Sequence, residues 1–414
     1  MERIVVDPLK IVLWGAFLGL VYTYLGYPCI LTVWRWSAGK QSGRGSSKFP
    51  TVSIVIAARN EGKRLAVRID NCLRQHYPPD LLNIIVVSDG SIDETEEIVR
   101  QCDPTRVTLL ALNEQQGKAM ALSAGVAHTQ SEIIVFADAR QVFSPSAVAE
   151  LVGNFSDPQV GAVSGELMLQ TQPTGIGAEA AGLYWSIEKW IRRSESAIDS
   201  AVGTTGAIYA IRRTLFEPLP RGTILDDLLV PMRIAMHGYR VVFEPRAQAF
   251  DWIEQDYHTE FKRKVRTLAG NYQALMLCPD LMKPWRNRLF FQFISHKVCR
   301  LAAPFCLVVL FVSNLFVMHG WLRYLFILQA VGYTMAAIGW GLRRLGVRER
   351  CTAAAFMFLM LNAAALLAAF RAFRGHAALW DNPRETPEAD DGVRRDESAD
   401  NEAQLLRKVS RTSL

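Results

Sequence analysis

VSIVIAARNE at residues 52–61 opens with an apolar run, 52–57, that stops at the polar group Arg59-Asn60-Glu61. A short apolar run bounded by polar residues predicts a buried strand. Similar runs at 84–88, 107–111 and 133–137 predict three more strands. Helical stretches at 93–101 and 118–127 lie between them. Strands alternating with helices imply an α/β domain with a parallel sheet and right-handed crossovers.

Open sheets of this kind bind ligands beyond the carboxyl ends of their strands. The residues that follow each strand therefore matter most. Ala58-Arg59-Asn60-Glu61 follows the first, and Asp89-Gly90-Ser91 with Asp93 follows the second. Gln116-Gly117-Lys118 precedes the fourth, and Asp138-Ala139-Arg140 follows it. Any one of these acids could cap a helix, Asp93 above all. Recurrence at successive strand ends is harder to explain by capping. A carboxylate so placed can accept bonds from a base or ribose, or hold a divalent cation. A diphosphate leaving group needs its growing charge offset by a metal, Lys or Arg. The phosphate loop GxxxxGK[ST] and a GxGxxG after a strand are both absent, which disfavours P-loop and dinucleotide enzymes.

Further along, residues 203–213 form a small-residue loop that runs into an apolar stretch. Leu225-Asp226-Asp227-Leu228 sets two acids side by side. Their repulsion can raise one pKa, which suits a general base. An acidic first turn of a helix is the plainer explanation of the same pair. Lys262-Arg263-Lys264-Val265-Arg266 is a basic cluster, or simply a solvated helix face.

Outside this domain the 414-residue chain turns apolar; it is 50% hydrophobic and only 21% charged. The block at 11–34 is long enough to span a bilayer, which takes about 20 helical residues. Residues 37–50, rich in Gly and Ser, read as a linker, and the globular domain as 51–284. Residues 285–300 mix basic and apolar types and are expected to lie along the membrane interface. Blocks at 301–318, 322–342 and 352–370 predict three more spans, so that 285–374 is a membrane region. The tail 375–414 is charged and aperiodic, and is expected to be disordered. Arg343, Arg344, Arg348 and Arg350 place the loop between the last two spans in the cytoplasm. Two spans separate that loop from the domain, so the domain is expected to be cytoplasmic and the amino terminus outside. The net charge of +6 gathers near apolar blocks, which fits a lipid bilayer rather than nucleic acid. Seven cysteines without a CxxC give neither a disulfide framework nor a zinc site.

Taken in order, VSIVIAARNE, VVSDGS, QQGKAMALSAGV, FADAR, TTGAIYAIRR, LDDLLVPMRIAMHGYRVVFEP and KRKVRTLAGNYQAL resemble the family-two inverting glycosyltransferases. The membrane-bound members that build extracellular polysaccharides are the most similar. Each motif is weak alone; seven in order over roughly residues 50–275 are specific. The resemblance implies a GT-A fold and inverting hexosyl transfer from a nucleotide-diphosphate sugar, of the UDP type, to a glycan or lipid-linked acceptor. It implies that Ala57, Arg59 and Glu61 contact the uracil base, that Asp89 binds the nucleoside, and that Lys118 lies near the phosphates. Asp138 matches the first acid of the D-x-D motif, which holds metal and diphosphate. Asp226 and Asp227 match the E-D pair, with Asp227 as base. Thr205, Gly206 and Tyr209 fall where the acceptor is held, and Arg263 and Arg266 fall on Q-x-x-R-W.

Two positions depart from the pattern. Arg140 replaces the second acid of D-x-D, and a guanidinium cannot ligate a metal. The expected divalent cation, Mg2+ or Mn2+, is therefore in doubt. Arg263 and Thr267 replace the Gln and Trp of Q-x-x-R-W, which weakens any expectation of a long polymer product. Arg140 also motivates an alternative: an inactive nucleotide-sugar-binding subunit working with other subunits of a polysaccharide assembly system. A transporter is disfavoured, because the spans carry no paired ionisable residues at mid-depth.

Overall fold

The computed structural model describes residues 8–37, 49–170, 178–252, 257–317, 320, 322–345, 347 and 349–373. The tail at 375–414 and most of the linker at 37–50 lie outside the described residues. One sheet organises the centre of the chain. Its strands are β1 (Val52–Ala58), β2 (Leu82–Asp89), β3 (Val107–Leu112), β4 (Ile133–Asp138), β5 (Val142–Phe143), β6 (Val160–Gln170), β7 (Ile208–Arg212) and β8 (Arg240–Trp252). Their spatial order is β3-β2-β1-β4-β7-β6-β8-β5.

The four apolar runs form β1 to β4, and all neighbouring pairs among them are parallel. β1 is buried on both faces, which is why it reads as a nearly unbroken apolar run. Ile54 and Ile56 join the core beneath the helix Gly62–Leu73. Val55 points the other way, into the core under the helices Lys118–His128 and Asp226–Met236. Beyond β4 the sheet becomes mixed. β7 runs antiparallel to β4 and β6, β6 pairs in parallel with β8, and β8 is antiparallel to β5.

The pairing register aligns the ends that matter. Ala57 lies opposite both Val87 and Asp138. Asp89, two residues beyond Val87, therefore ends β2 at the same edge. Because β7 runs the other way, its first residue, Ile208, faces Ala137 near the end of β4. The loop that leads into β7 is thus delivered to the edge where the other strands finish.

Four helices are long and apolar enough to cross a membrane: Pro8–Trp36, Phe290–Phe316, Leu322–Arg344 and Arg350–Ala372. They leave large apolar side chains uncovered, among them Leu18, Val33, Phe316 and Leu328. Such a belt exceeds what a water-facing surface ordinarily shows. Ala364 and Ala368 on the last of these helices pack against Val265 and Ala269 of the helix Tyr257–Leu277, which ties the globular part to the apolar helices. The stretch 285–300, expected to lie along an interface, runs into the second apolar helix, and its His296 is fully buried.

Candidate active site

The loops after β1 and β2 are stitched together by side chains. Asn60 takes a left-handed backbone (φ 53°), and its side-chain oxygen accepts from Ile92 N at 2.9 Å. Asp93 accepts from Gly62 N at 3.0 Å and from Thr95 N at 3.1 Å, so it caps two helix starts. Burial alone would raise its pKa, but a bond from the Thr95 hydroxyl, together with these two, holds the carboxyl below its ordinary value. Glu61 N donates to Thr95 Oγ1 at 2.9 Å, and the Glu61 carboxylate lies 3.9 Å from Arg64. Ala57, Arg59 and Glu61 thus border the sheet edge beside the loop that follows Asp89.

Asp89 is buried. Its two oxygens accept from Gln116 N (2.7 Å) and Gly117 N (2.8 Å). That clasp fixes the start of the helix Lys118–His128 and aims Lys118 at the centre of the site. Gly90 follows with φ +64°, and a Cβ there would meet Gln115 N at 2.8 Å, so the two loops touch only because this residue has no side chain. Lys118 Nζ lies 3.0 Å from Asp138 Oδ1 and 3.2 Å from Asp226 Oδ1. Burial alone would lower its pKa; Asp138, Asp226 and Asp227 instead hold the ammonium firmly protonated, well above the usual lysine range.

Asp226 and Asp227 open the helix Asp226–Met236, so the pair is also an acidic first turn. The two carboxylates have different surroundings. Asp226 is buried; one oxygen meets Lys118 and the other accepts from the Tyr209 hydroxyl at 2.9 Å. Tyr209 is itself fully buried, stacked on Phe136 with ring centres 4.6 Å apart. It sits beneath the acidic pair. Asp227 Oδ2 accepts from Gly206 N at 3.1 Å, and its Oδ1 takes no hydrogen bond from the described residues. Burial and the neighbouring Asp226 charge push the Asp227 carboxyl up to about 6, against the pull of Lys118, Arg192 and Lys297. A carboxylate with a free oxygen and a pKa near neutrality is suited to take a proton.

The loop before β7 is shaped around that carboxylate. Thr204 N and Oγ1 donate to the Asp227 carbonyl at 2.7 and 3.0 Å. A Cβ on Gly206 would stand 2.9 Å from Asp227 Oδ2. Thr205 is held by Arg192, whose Nη1 donates to Thr205 Oγ1 at 2.8 Å. Glu166, Trp185, Lys189, Arg192 and Thr205 line a small cavity on this side.

Of the basic cluster, Arg263 pairs with Glu260 on its own helix at 2.6 Å. Lys264 stacks its ammonium 5.0 Å from the Trp185 ring centre. Arg266 lies one turn before Gly270, where a Cβ would touch Leu225, so it shares the helix face that meets the acidic pair's loop. Its buried Nε has no hydrogen-bond partner among the described residues.

Four residues of this neighbourhood were not singled out by the sequence. Arg68, almost fully buried, donates from Nε to the Asp138 carbonyl at 3.1 Å and stacks over Phe143. Asp251 forms an ion pair with Arg140 and accepts from Gln141 Nε2 at 2.9 Å. Glu188 anchors Arg192 and accepts from Arg300 at 2.5 Å and from His296 Nε2 at 3.1 Å. Arg192 is the fourth. Glu188 and Arg192 stand at an i, i+4 helical spacing, the one signal through which they could have been found.

The residues expected to hold a divalent cation do not form a cage for one. The position of the second acid is a guanidinium already paired with Asp251, and Asp138 meets the Lys118 ammonium. Among the described residues no group of three or more His, Cys, Asp or Glu is arranged around a metal position.

Comparisons with known proteins point the same way. Residues 53–219 match the profile of Glycosyl transferase family 2. The poly-beta-1,6-N-acetyl-D-glucosamine synthase of Staphylococcus aureus (strain COL) is 25% identical over 252 residues, covering 58% of this chain and 60% of that protein. The Staphylococcus epidermidis protein of the same name is 25% identical over 231 residues, covering 54% and 55%. The chain thus spans about 60% of the length of the curated relatives it matches. Among solved structures, the mannosyltransferase PcManGT from Pyrobaculum calidifontis, in complex with GDP-Man and Mn2+, superposes with a TM-score of 0.68. It is 22% identical, and the match covers 88% of this chain and 99% of that one. Sheet, strand-end acids and sequence profile lead to one conclusion: residues 53–219 match glycosyl transferase family 2, and they lie in a domain with the GT-A fold.

Proposed function

We propose that this chain transfers a hexosyl group, with inversion, from a nucleotide-diphosphate sugar to a hydroxyl of a glycan or lipid-linked acceptor in polysaccharide assembly. The observation that carries this reading is Lys118 bridging Asp138 and Asp226 beside an Asp227 carboxyl pushed up to about 6. The donor enters at the strand ends, with its base near Ala57, Arg59 and Glu61 and its nucleoside near Asp89. Asp227 takes the proton of the acceptor hydroxyl. The acceptor oxygen forms a bond to the anomeric carbon from the face opposite the diphosphate. The anomeric carbon–oxygen bond breaks, and the electron pair leaves on the nucleoside diphosphate. Lys118 and Arg266 offset the charge on that leaving group, where fixed cations stabilise a transition state most. Thr205 and Gly206 act by shaping the loop around Asp227, and Tyr209 by holding Asp226 from below.

The four apolar helices and the synthase-named relatives support a multi-pass protein of the plasma (inner) membrane. The arginine-rich loop supports a cytoplasmic site. A membrane location favours acceptors presented at the bilayer, and other assembly subunits are natural neighbours there. An inactive binding subunit is less well supported, because such a role does not require an acidic pair set up for proton transfer.

The test uses the purified full-length chain in detergent, given UDP- and GDP-sugars labelled in the sugar together with short glycan and lipid-linked acceptors. The expected result is labelled acceptor whose new linkage has the anomeric configuration opposite to the donor. Donor binding without any transfer across the panel would support the inactive-subunit reading instead. A retained configuration would refute direct displacement.

A further inference from the structure

We infer that this chain holds its donor diphosphate with the Lys118 ammonium in place of a resident divalent cation. The inference rests on the donor reading above and goes beyond it, because the family pattern at these positions implies a metal.

The argument is one of ligand chemistry. Mg2+ and Mn2+ take hard oxygen ligands, usually one or two carboxylates plus phosphate oxygens. The first candidate ligand, Asp138, has Lys118 Nζ at 3.0 Å. The same ammonium reaches Asp226 Oδ1 at 3.2 Å, so it stands where a cation bridging the two carboxylates would stand. The second candidate position is Arg140, which brings positive charge instead of a ligand. Its guanidinium is fixed by Asp251, whose side chain is only 5% exposed, and Gln141 Nε2 holds the same Asp251 oxygen at 2.9 Å. Arg140 therefore cannot swing aside without taking this cation from a buried carboxylate, which is costly. A metal at Asp138 would have to displace one cation and sit close to another.

The ammonium has three donors, and the two carboxylates use two of them. The third is left for a diphosphate oxygen. Arg266, with its buried Nε unpartnered, is the second cation available on the neighbouring helix. The mouth of the site thus supplies fixed positive charge from side chains alone.

The test is calorimetric titration of the full-length protein with UDP, and in parallel GDP, after EDTA treatment and again with excess Mn2+. The expected result is binding of at least one nucleoside diphosphate with a dissociation constant that changes less than about threefold between the two conditions. Binding that tightens by about tenfold or more with Mn2+ would overturn the inference and leave the donor reading standing. No binding in either condition would overturn both. A second arm uses Arg140→Asp, which sets a third carboxylate beside Asp138 and Asp251. This variant should bind Mn2+, seen as loss of the free-ion EPR signal, where the parent chain does not. Equal Mn2+ binding by the parent would overturn the inference. Should the variant fail to fold, the parent titration decides alone.

Discussion

Asp227→Asn lowers the rate of sugar transfer by about 10²–10⁴-fold, the usual contribution of a positioned proton acceptor. Nucleoside diphosphate affinity is expected to stay within about threefold of the parent, because the substitution does not touch the donor's charged contacts. The asparagine side chain is the same shape. Its oxygen can still accept from Gly206 N, the bond that Asp227 Oδ2 makes at 3.1 Å, so the loop before β7 keeps its form. What is lost is the ability to take a proton. Initial rates and a binding titration on the same preparation separate these effects. Parallel loss of transfer and donor affinity would assign Asp227 to donor binding and leave the base unidentified. Asp226 is expected to behave differently, since both its oxygens are already committed, to Lys118 and to Tyr209.

Glu188→Ala is expected to cost about 3–5 kcal/mol of stability, the range for breaking a buried ion pair from one side. The carboxylate is buried and collects Arg192 from its own helix, and His296 and Arg300 from the second apolar helix. Removing it takes this counter-charge from Arg192 and Arg300, while His296 keeps Glu195 on its Nδ1 at 2.8 Å. Thermal unfolding in detergent measures the loss, and Glu188→Gln should recover part of it by retaining hydrogen bonds. Burial alone would raise the Glu188 pKa; His296, Arg300 and Lys297 hold it well below the ordinary 4.5. A carboxyl so depressed stabilises the fold fully above the ordinary value. The stabilisation fades as pH falls through the lower, folded-state pKa. The difference between parent and variant should therefore begin to shrink once pH falls below the ordinary 4.5 and keep shrinking down to the folded-state pKa. The same substitution should slow transfer, because Arg192 then loses its anchor and with it the hold on Thr205. An unchanged melting temperature would mean that the network is not coupled to the fold as described.

The first half of the sheet was legible because its strands are buried on both faces. An apolar run ending in polar residues is the direct signature of such a strand, and β1 to β4 begin and end within two residues of those runs. The acids after β2 and β4 were visible for a related reason: parallel pairing sends every carboxyl end to one edge, so position in sequence becomes position in space. The second half was less legible. Residues 203–213 read as a loop leading into an apolar stretch, and nothing local shows that β7 returns antiparallel beside β4. Pairings across long separations were not legible at all. Arg140 looked like a lone departure from a metal-binding pattern, and its partner Asp251 lies 111 residues away. Glu188 and His296 are 108 residues apart. No periodicity links such pairs; only the packed fold does. Tyr209 shows the converse. Its motif was legible, but not that antiparallel pairing turns its ring onto Phe136 and beneath Asp226.

The dependence of kcat/KM on pH, which reports the base of the free enzyme, tests the assignment of Asp227 most directly. A base whose carboxyl is pushed up to about 6 is ionised and active in neutral buffer. Below that point the profile should fall by about tenfold per pH unit as the carboxyl protonates. A profile that stays level down to about pH 4.5, with the protein still folded, would mean that an unshifted group or no carboxylate at all accepts the proton, and would contradict the account.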